Sequence, residues 1–153
     1  MESEMENVSM NSKMKLSEHF TLGELTKTKY QTSDGNIPSH VVIENLKRLC
    51  TWLEELRRRY NEPIIINSGY RSPAVNKLAG GSNTSNHLTG CAVDIKTYGI
   101  EQAMRYAVIL MDYADDSNLD FDELLIEKNR QGTIWLHFAV RPKDNRRKIA
   151  FIG

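Results

Sequence analysis

Cysteine is scarce in this sequence, and its placement excludes two common kinds of small protein. Only Cys50 and Cys91 occur, far apart and outside any CxxC pattern. This arrangement argues against a disulfide framework and against a zinc knuckle built from thiolates. We therefore expect both residues to be reduced and to serve in packing.

The sequence also lacks an excess of one charge and any long apolar run. Twenty lysines and arginines balance twenty aspartates and glutamates, so no global field would draw the chain to nucleic acid or anionic lipid. No apolar run approaches the length of a membrane span, and the polar residues 1–15 do not resemble a secretory signal. We therefore expect no nucleic-acid partner and no membrane span, and a specificity that comes from a local site.

The apolar pattern divides the chain into an N-terminal arm and one domain. Residues 1–14 are polar and rich in methionine, without a repeating apolar pattern, which predicts a disordered arm. Residues 15–153 carry regular apolar patterns over a length sufficient for one hydrophobic core. We therefore expect this part to form a single domain.

Four helices are predicted from capping signals and from apolar residues spaced by three or four positions. The strongest pattern begins at Ser39 and keeps one apolar stripe as far as Tyr60. The predicted helices cover residues 21–27, 39–60, 72–79 and 100–114.

Strands are predicted at 63–67, at 91–95, and twice between 121 and 140 around the turn KNRQG. Long helices mixed with short strands, without a repeating βαβ order, indicate an α+β domain with a mainly antiparallel sheet flanked by helices. The basic segment 141–148, RPKDNRRK, is interpreted as a solvated chain end, with docking of an anionic polymer as the alternative.

His87 and Asp94 are close in sequence, but a regular backbone would hold their side chains apart. They would be about 10 Å apart along a helix axis and about 23 Å apart in a straight strand, whereas zinc–ligand bonds are about 2 Å long. A turn at Gly90 would fold the segment back, because glycine tolerates the positive φ that a tight turn needs.

Asp94 and the distant His137 are both predicted to have room for an ion beside them. Alternation places Ala92 next to Asp94 on one strand face, and Ala139 next to His137 on another. Two imidazoles and one carboxylate would leave a fourth zinc position for water, which is a catalytic arrangement. Spacing alone favours this hypothesis no more than a hydrogen-bonded core histidine and a turn aspartate.

Three stretches carry a resemblance to a known family: SGYRSPAVNKLAGG at 68–81, SNHLTGCAVD at 85–94 and WLHFAV at 135–140. In this order they resemble the signature of the zinc D-Ala-D-Ala carboxypeptidase family of peptidoglycan peptidases, S-G-Y-R-S, S-x-H-x-x-G-x-A-x-D and W-x-H. FTLGELTKT at 20–28 is similar to the opening of the branch found in bacterial and phage cell-wall enzymes. The resemblance implies a hedgehog/DD-peptidase-like fold.

The resemblance also implies roles for individual residues. One zinc ion would be held by His87, Asp94 and His137. Arg71 falls on the family arginine that anchors the substrate in catalysis, and a guanidinium fork suits a carboxylate because it donates two parallel hydrogen bonds. Ser85 matches the family serine before the first histidine, and would hydrogen-bond the substrate or orient the loop.

The sequence departs from the family pattern at Ile134. Many relatives carry a glutamate at this position, three residues before the last histidine, as the general base. The predicted hairpin pairs Glu127 with Thr133 across a five-residue turn. Glu123 then faces His137, and both glutamates lie on the metal side of the sheet. The stretch FDELLIE is similar to F-D-x-L-I-x-E of the phage-like branch, which favours Glu127 over Glu123 as the base.

With this resemblance, the sequence predicts a zinc-dependent peptidase that hydrolyses a D-Ala-containing bond of the peptidoglycan stem or cross-bridge, as a carboxypeptidase or an endopeptidase. The alternative is a non-catalytic zinc-containing module of the same fold that binds the cell wall. We expect a monomer whose partner is a peptidoglycan peptide. We also expect it to be made in the cytoplasm and to act on the wall once released, as a phage or prophage lysin does.

Overall fold

The computed structural model describes residues 11–153, which form four α-helices, one short 3-10 turn and five strands. The helices are α1 (Leu22–Thr26), α2 (His40–Tyr60), α3 (Pro73–Leu78) and α4 (Ile100–Ser117), and the 3-10 turn is Asn86–Thr89. The strands are β1 (Ile66–Ser68), β2 (Ala92–Lys96), β3 (Glu123–Lys128), β4 (Ile134–Ala139) and β5 (Lys148–Ile152).

The five strands form one sheet in the order β1-β2-β4-β3-β5. β2 pairs antiparallel with β1 and with β4, and β3 pairs antiparallel with β4, whereas β3 and β5 are parallel. The predicted α+β class with a mainly antiparallel sheet is confirmed. β5 is absent from the sequence prediction, because its side chains are largely exposed and show no buried alternation.

The longest helix, α2, forms where the apolar stripe is strongest. The Ser39 side chain accepts a hydrogen bond from the backbone N–H of Val42, and Asn61 ends the helix in the left-handed conformation at φ 62°. Burial of one leucine side chain contributes about 2 kcal/mol, so a buried leucine stripe holds α2 on the sheet. The fully buried members of this stripe are Leu46, Leu49, Leu53 and Leu56.

One face of the sheet packs beneath α2 and α4. The ring of Trp52 in α2 lies 5.4 Å from that of Phe138 in β4 and 4.9 Å from that of Tyr113 in α4, between centroids. The core therefore joins both long helices to the sheet. Because side chains alternate across a strand, His137 and Ala139 lie on the opposite face of β4.

The two short helices begin at their predicted caps, and the first strand is displaced from its predicted position. Thr21 and Glu24 form the predicted capping box of α1, and Ser72 caps α3 as predicted. The strand predicted at 63–67 lies nearer the C-terminus, as β1, because pairing with β2 involves only Ile66 and Ser68.

The last residues of the predicted N-terminal arm form backbone hydrogen bonds. Met14 N–H donates to the Asn11 carbonyl at 2.8 Å, and the Met14 carbonyl accepts from Leu22 N–H at 2.8 Å. Residues 11–14 are therefore tied to α1 by backbone hydrogen bonds, and the disorder of the arm stays a prediction. Residues 1–10 of the arm lie outside the described residues.

The basic segment 141–148 is not the solvated chain end that the sequence suggests. Arg146 forms an ion pair with buried Asp122 at 2.8 Å, and Lys148 begins β5. The error arises because both contacts join parts of the chain that are distant in sequence.

Cys50 and Cys91 are buried and unpaired, as predicted, and burial raises the pKa of the Cys50 thiol to about 12. Within residues 11–153, no helix combines the length and the apolar character needed to cross a membrane.

Candidate metal centre

Strand pairing brings Asp94 and His137 side by side. Asp94 of β2 lies opposite His137 of β4, and the small residues Ala92 and Ala139 are also paired with each other. Directly opposite residues share one face, and neighbouring strands are about 4.8 Å apart. The carboxylate and the imidazole therefore lie next to each other, with two alanines beside them, as the alternation predicts.

A left-handed turn brings His87 back to the same face. The 3-10 turn ends at Gly90, whose φ is 73°, and a β-carbon there would come within 2.7 Å of Cγ1 of Val42. Both the backbone angle and the lack of space require glycine. Ser85 Oγ accepts a hydrogen bond from His87 N–H at 3.1 Å, a contact that agrees with the predicted role of Ser85 in orienting the loop.

The three side chains converge with one donor atom each. Nδ1 of His87 donates a hydrogen bond to the Gly69 carbonyl at 2.7 Å, so Nε2 is the ring nitrogen that faces Asp94. Nε2 of His87 and Nδ1 of His137 lie 3.3 Å and 3.1 Å from the same oxygen, Oδ1 of Asp94. One donor atom from each residue lies within 4.8 Å of the others. Two imidazole nitrogens and a carboxylate oxygen fit the donor set of a three-ligand zinc site.

Burial and charge act in opposite directions on these groups. Burial disfavours the ionised Asp94, but the charges and hydrogen bonds of His87 and His137 outweigh it and lower the pKa of Asp94 far below its usual range. Burial also disfavours a charged His137, but hydrogen bonds with Asp94 and Glu123 raise its pKa to about 9. A cation at Nδ1 must displace this proton, so affinity for the cation should increase as pH rises.

Glu123 accepts a hydrogen bond from Nε2 of His137, the outer ring nitrogen, which points away from Asp94. Its strand partner is Ala139, not His137 as predicted, but its Oε1 lies 2.9 Å from Nε2 of His137 and 2.7 Å from Nδ2 of Asn86. The hydrogen bond from His137 is the main reason that the pKa of Glu123 falls to about 2. A carboxylate on the outer nitrogen of a histidine orients the ring and strengthens the inner nitrogen as a ligand.

Asn86 and Asp122 support this arrangement, and the sequence analysis did not identify them. Asp122 is fully buried and accepts hydrogen bonds from Nδ2 of Asn86 and Nη2 of Arg146, each at 2.8 Å. Asn86 directly precedes His87, and Asp122 directly precedes Glu123, so their place beside candidate residues was the available signal. Their mutual contact spans 36 positions, and no local pattern reports it.

Glu127 lies near the donor atom of His137 that belongs to the metal group. Its Oε2 lies 3.8 Å from Nδ1 of His137, the nitrogen that faces Asp94. Burial raises the pKa of Glu127, which brings the group nearer to the range of a proton-exchanging acid. Ile134 packs against the core on the other face of β4, so the nearby acid is supplied by β3.

The hairpin register differs from the prediction by two positions. Glu127 faces Trp135 rather than Thr133. Thr133 lies in the turn, where its carbonyl accepts a hydrogen bond from Asn129 N–H at 3.1 Å. An even shift leaves every side chain on the same face, so Glu123 and Glu127 still point toward the metal group.

Arg71 lies beside the same group, next to β1. Its Nη2 is 3.2 Å from Oδ2 of Asp94, and its Nε donates to Oγ of Ser68 at 3.1 Å. The guanidinium therefore braces the aspartate and has further N–H groups for a ligand. A cleft of about 520 Å³ collects all six candidate residues, and its lining includes Arg71, Ser85, His87, Asp94, Glu127 and His137.

Known proteins resemble this chain in sequence and in structure. The Peptidase M15 family model matches residues 18–115. A zinc D-Ala-D-Ala carboxypeptidase of Streptomyces albus G is 30% identical over 78 residues, which are 50% of this chain and 31% of that protein. The chain thus spans about a third of that relative's length. The L-Ala D-Glu endopeptidase ChiX of Serratia marcescens has a crystal structure with a TM-score of 0.45 and 23% identity, over 67% of this chain and 87% of that one.

The family match covers more than half of the chain, and it includes both the left-handed turn at Gly90 and the strand that carries Asp94. His137 lies beyond the matched residues, and the sheet brings it to Asp94. The chain belongs to the Peptidase M15 family.

Proposed function

We propose that this chain is a zinc-dependent peptidase that hydrolyses a peptide bond of the peptidoglycan stem or cross-bridge, at a site containing D-alanine. The observation that carries the proposal is the convergence of one donor atom each from His87, Asp94 and His137 within 4.8 Å, beside a half-buried acid, Glu127, in the lining of one cleft. The similarity to the zinc D-Ala-D-Ala carboxypeptidase of Streptomyces albus G supports the choice of metal and bond.

His87, Asp94 and His137 would hold the zinc. A zinc ion held there would lower the pKa of the attacking water to about 7 and would polarise the carbonyl that is attacked. Glu127 takes a proton from the attacking water with Oε2 and returns it to the nitrogen of the amine that leaves. One hydroxyl thus adds to the carbonyl carbon and one proton to the amine, which balances the hydrolysis.

Arg71 positions the substrate in this proposal. Its contact with Asp94 holds the guanidinium within 3.2 Å of the metal group, and its remaining N–H groups bind the substrate carboxylate. A carboxylate held there places the adjoining peptide bond over the metal group, which reduces the entropic cost of reaching the transition state. Ser85 lies in the cleft lining and contributes through the loop that it orients.

Two cleavage types satisfy this chemistry, and the products separate them. A carboxypeptidase releases free D-alanine from the end of a stem, whereas an endopeptidase releases longer peptides with new amino and carboxyl ends. The proposal that the protein is made in the cytoplasm and reaches the wall after release concerns the site of action and not the chemistry.

The decisive experiment incubates zinc-loaded protein with purified peptidoglycan and identifies the products by mass spectrometry. The matched control is Asp94→Asn, which keeps the side-chain shape but removes the anionic ligand. We expect new amine ends with the native chain and none with Asp94→Asn. Stoichiometric zinc with no cleavage of several wall types would refute a peptidase and favour a zinc-containing wall-binding module.

A further inference from the structure

The basic segment 141–148, which is not a solvated chain end, forms one wall of the cleft. Arg141, Arg146 and Lys148 all line the cavity that contains the metal group. Arg71 lies toward β1 at one edge of the sheet, and Lys148 belongs to β5 at the other edge. Cationic groups therefore stand at both ends of the cleft, with the metal group between them.

A buried carboxylate fixes two of the three cations of this wall. Asp122 is fully buried and accepts hydrogen bonds from Nε and Nη2 of Arg146 at 3.0 Å and 2.8 Å. Arg141 Nε lies 3.2 Å from the same carboxylate and donates to Oδ1 of Asn86 at 3.0 Å. The two side chains nevertheless remain 49% and 33% exposed for Arg146 and Arg141, so each is held in place and still faces the cleft.

Lys148 occupies a defined position on the site face. It pairs with Glu123 across β3 and β5, and paired residues point to the same side of a sheet. Its ammonium forms no ion pair with any residue in 11–153. β5 lies two strands from β4, and Lys148 is level with Ala139, two residues from His137, so the backbone of Lys148 lies about 12 Å from that of His137 at ordinary strand spacing.

The wall has more positive than negative charge. Three cationic groups meet two carboxylates, those of Asp122 and Glu123, and the latter also serves His137. One positive charge is left over, on a surface that faces a substrate cleft. About 12 Å corresponds to about three residues of an extended peptide.

We propose that Arg141, Arg146 and Lys148 form a subsite for a second substrate carboxylate, about three residues from the cleaved bond. This inference rests on the proposed function and specifies its substrate class. The preferred stem peptide carries a free acid at that position, and the same peptide with the acid converted to an amide is a poorer substrate. A carboxylate is favoured over a phosphate polymer because the three cations face into the peptide cleft.

The test uses a pair of soluble stem peptides that differ only in one carboxylate, free or amidated, and compares their kcat/KM values. We expect the native chain to prefer the free acid by about three- to tenfold, the range of one partly exposed charge-assisted contact. In Lys148→Gln the ratio of the two values falls toward one, and in Lys148→Glu it inverts. Lys143→Gln, an exposed lysine of the same segment that does not line the cleft, keeps the native ratio.

The ratio of the Kd values of the two peptides, measured with Glu127→Gln, tests the basic wall of the cleft without turnover. If the native chain cleaves neither peptide, the proposed function fails, and the Kd ratio alone decides the subsite. A ratio near one in native kcat/KM and in Kd would overturn the subsite while leaving the peptidase intact. Loss of activity in Lys148→Gln only on walls that carry an anionic phosphate polymer, with an unchanged peptide ratio, would also overturn it.

Discussion

Oε2 of Glu127 lies 3.8 Å from Nδ1 of His137, the ring nitrogen that also faces Asp94. Glu123, in contrast, binds the other nitrogen of the same ring at 2.9 Å. The two glutamates of β3 therefore hold different positions about one imidazole. The roles proposed for them, proton exchange for Glu127 and support of the His137 ligand for Glu123, can be separated by experiment.

Glu127→Gln removes the proposed proton carrier without touching a donor atom. We expect kcat to fall by about 10² to 10⁴, the usual contribution of a general base, while the zinc content stays that of the native chain. Steady-state kinetics on a soluble stem peptide and metal analysis of the same preparation measure both quantities. Native turnover in this variant would assign the base elsewhere.

Glu123→Gln should show the reverse pattern. Loss of the carboxylate that orients the His137 ring should weaken zinc affinity by about 10- to 100-fold. Competition with a chelating dye measures the affinity, and excess zinc should restore most of the activity. If excess zinc fails to restore it, Glu123 acts on the substrate and not on the ligand.

His87→Ala removes one of the three donor atoms. We expect the variant to lose bound zinc and wall cleavage together, since two remaining ligands do not form a zinc site of the usual kind. His40→Gln is the matched control, because this histidine is exposed at the start of α2. Zinc retained at the native stoichiometry in His87→Ala would contradict the ligand set.

Asp122 should make stability depend on pH in the acid range. Burial opposes its ionisation, but hydrogen bonds from Arg146 and Asn86 outweigh burial and lower its pKa from 3.8 to about 2. A carboxyl group whose pKa is lowered by folding stabilises the folded state at pH values above its unfolded-state pKa. That contribution of Asp122 is lost as the pH falls from about 4 to about 2. Circular dichroism during denaturant unfolding at several pH values measures this loss.

Asp122→Asn should reduce that acid-range dependence without abolishing it, because Asp94 and Glu123 also have lowered pKa values, and it should destabilise the fold at neutral pH. Breaking a fully enclosed ion pair costs about 3 to 5 kcal/mol, but both arginines are partly exposed and can turn to water. We therefore expect a smaller loss, about 2 kcal/mol. An unchanged slope of stability against pH in this variant would show that another group titrates there.

Gly90→Ala tests the turn that returns His87 to the sheet. The substitution combines a positive φ with a β-carbon 2.7 Å from Val42, and we expect a loss of about 2 to 4 kcal/mol. Gly132→Ala is the matched control, since Gly132 has φ +86° but open space around it. Equal losses in thermal unfolding would show that the backbone angle alone accounts for the effect.

Local signals in the sequence were sufficient for most of the helices and for the turn. The cap at Ser39, the capping box at Thr21 and the glycine at 90 act through neighbours a few positions away. Alternation along a strand likewise determined that Asp94 and His137 lie on the faces that carry Ala92 and Ala139. Each of these features depends on the order of nearby residues.

Contacts between distant segments could not be predicted in this way. The two-position shift of the β3–β4 hairpin preserved the face of Glu123 and Glu127 but changed their partners. The pairing of β5 with β3, and the burial of Asp122 beneath Arg146, depend on the packing of the whole sheet. Alternation has a period of two, so the sequence determined which face each side chain occupies, and only the tertiary structure decided which side chains meet there.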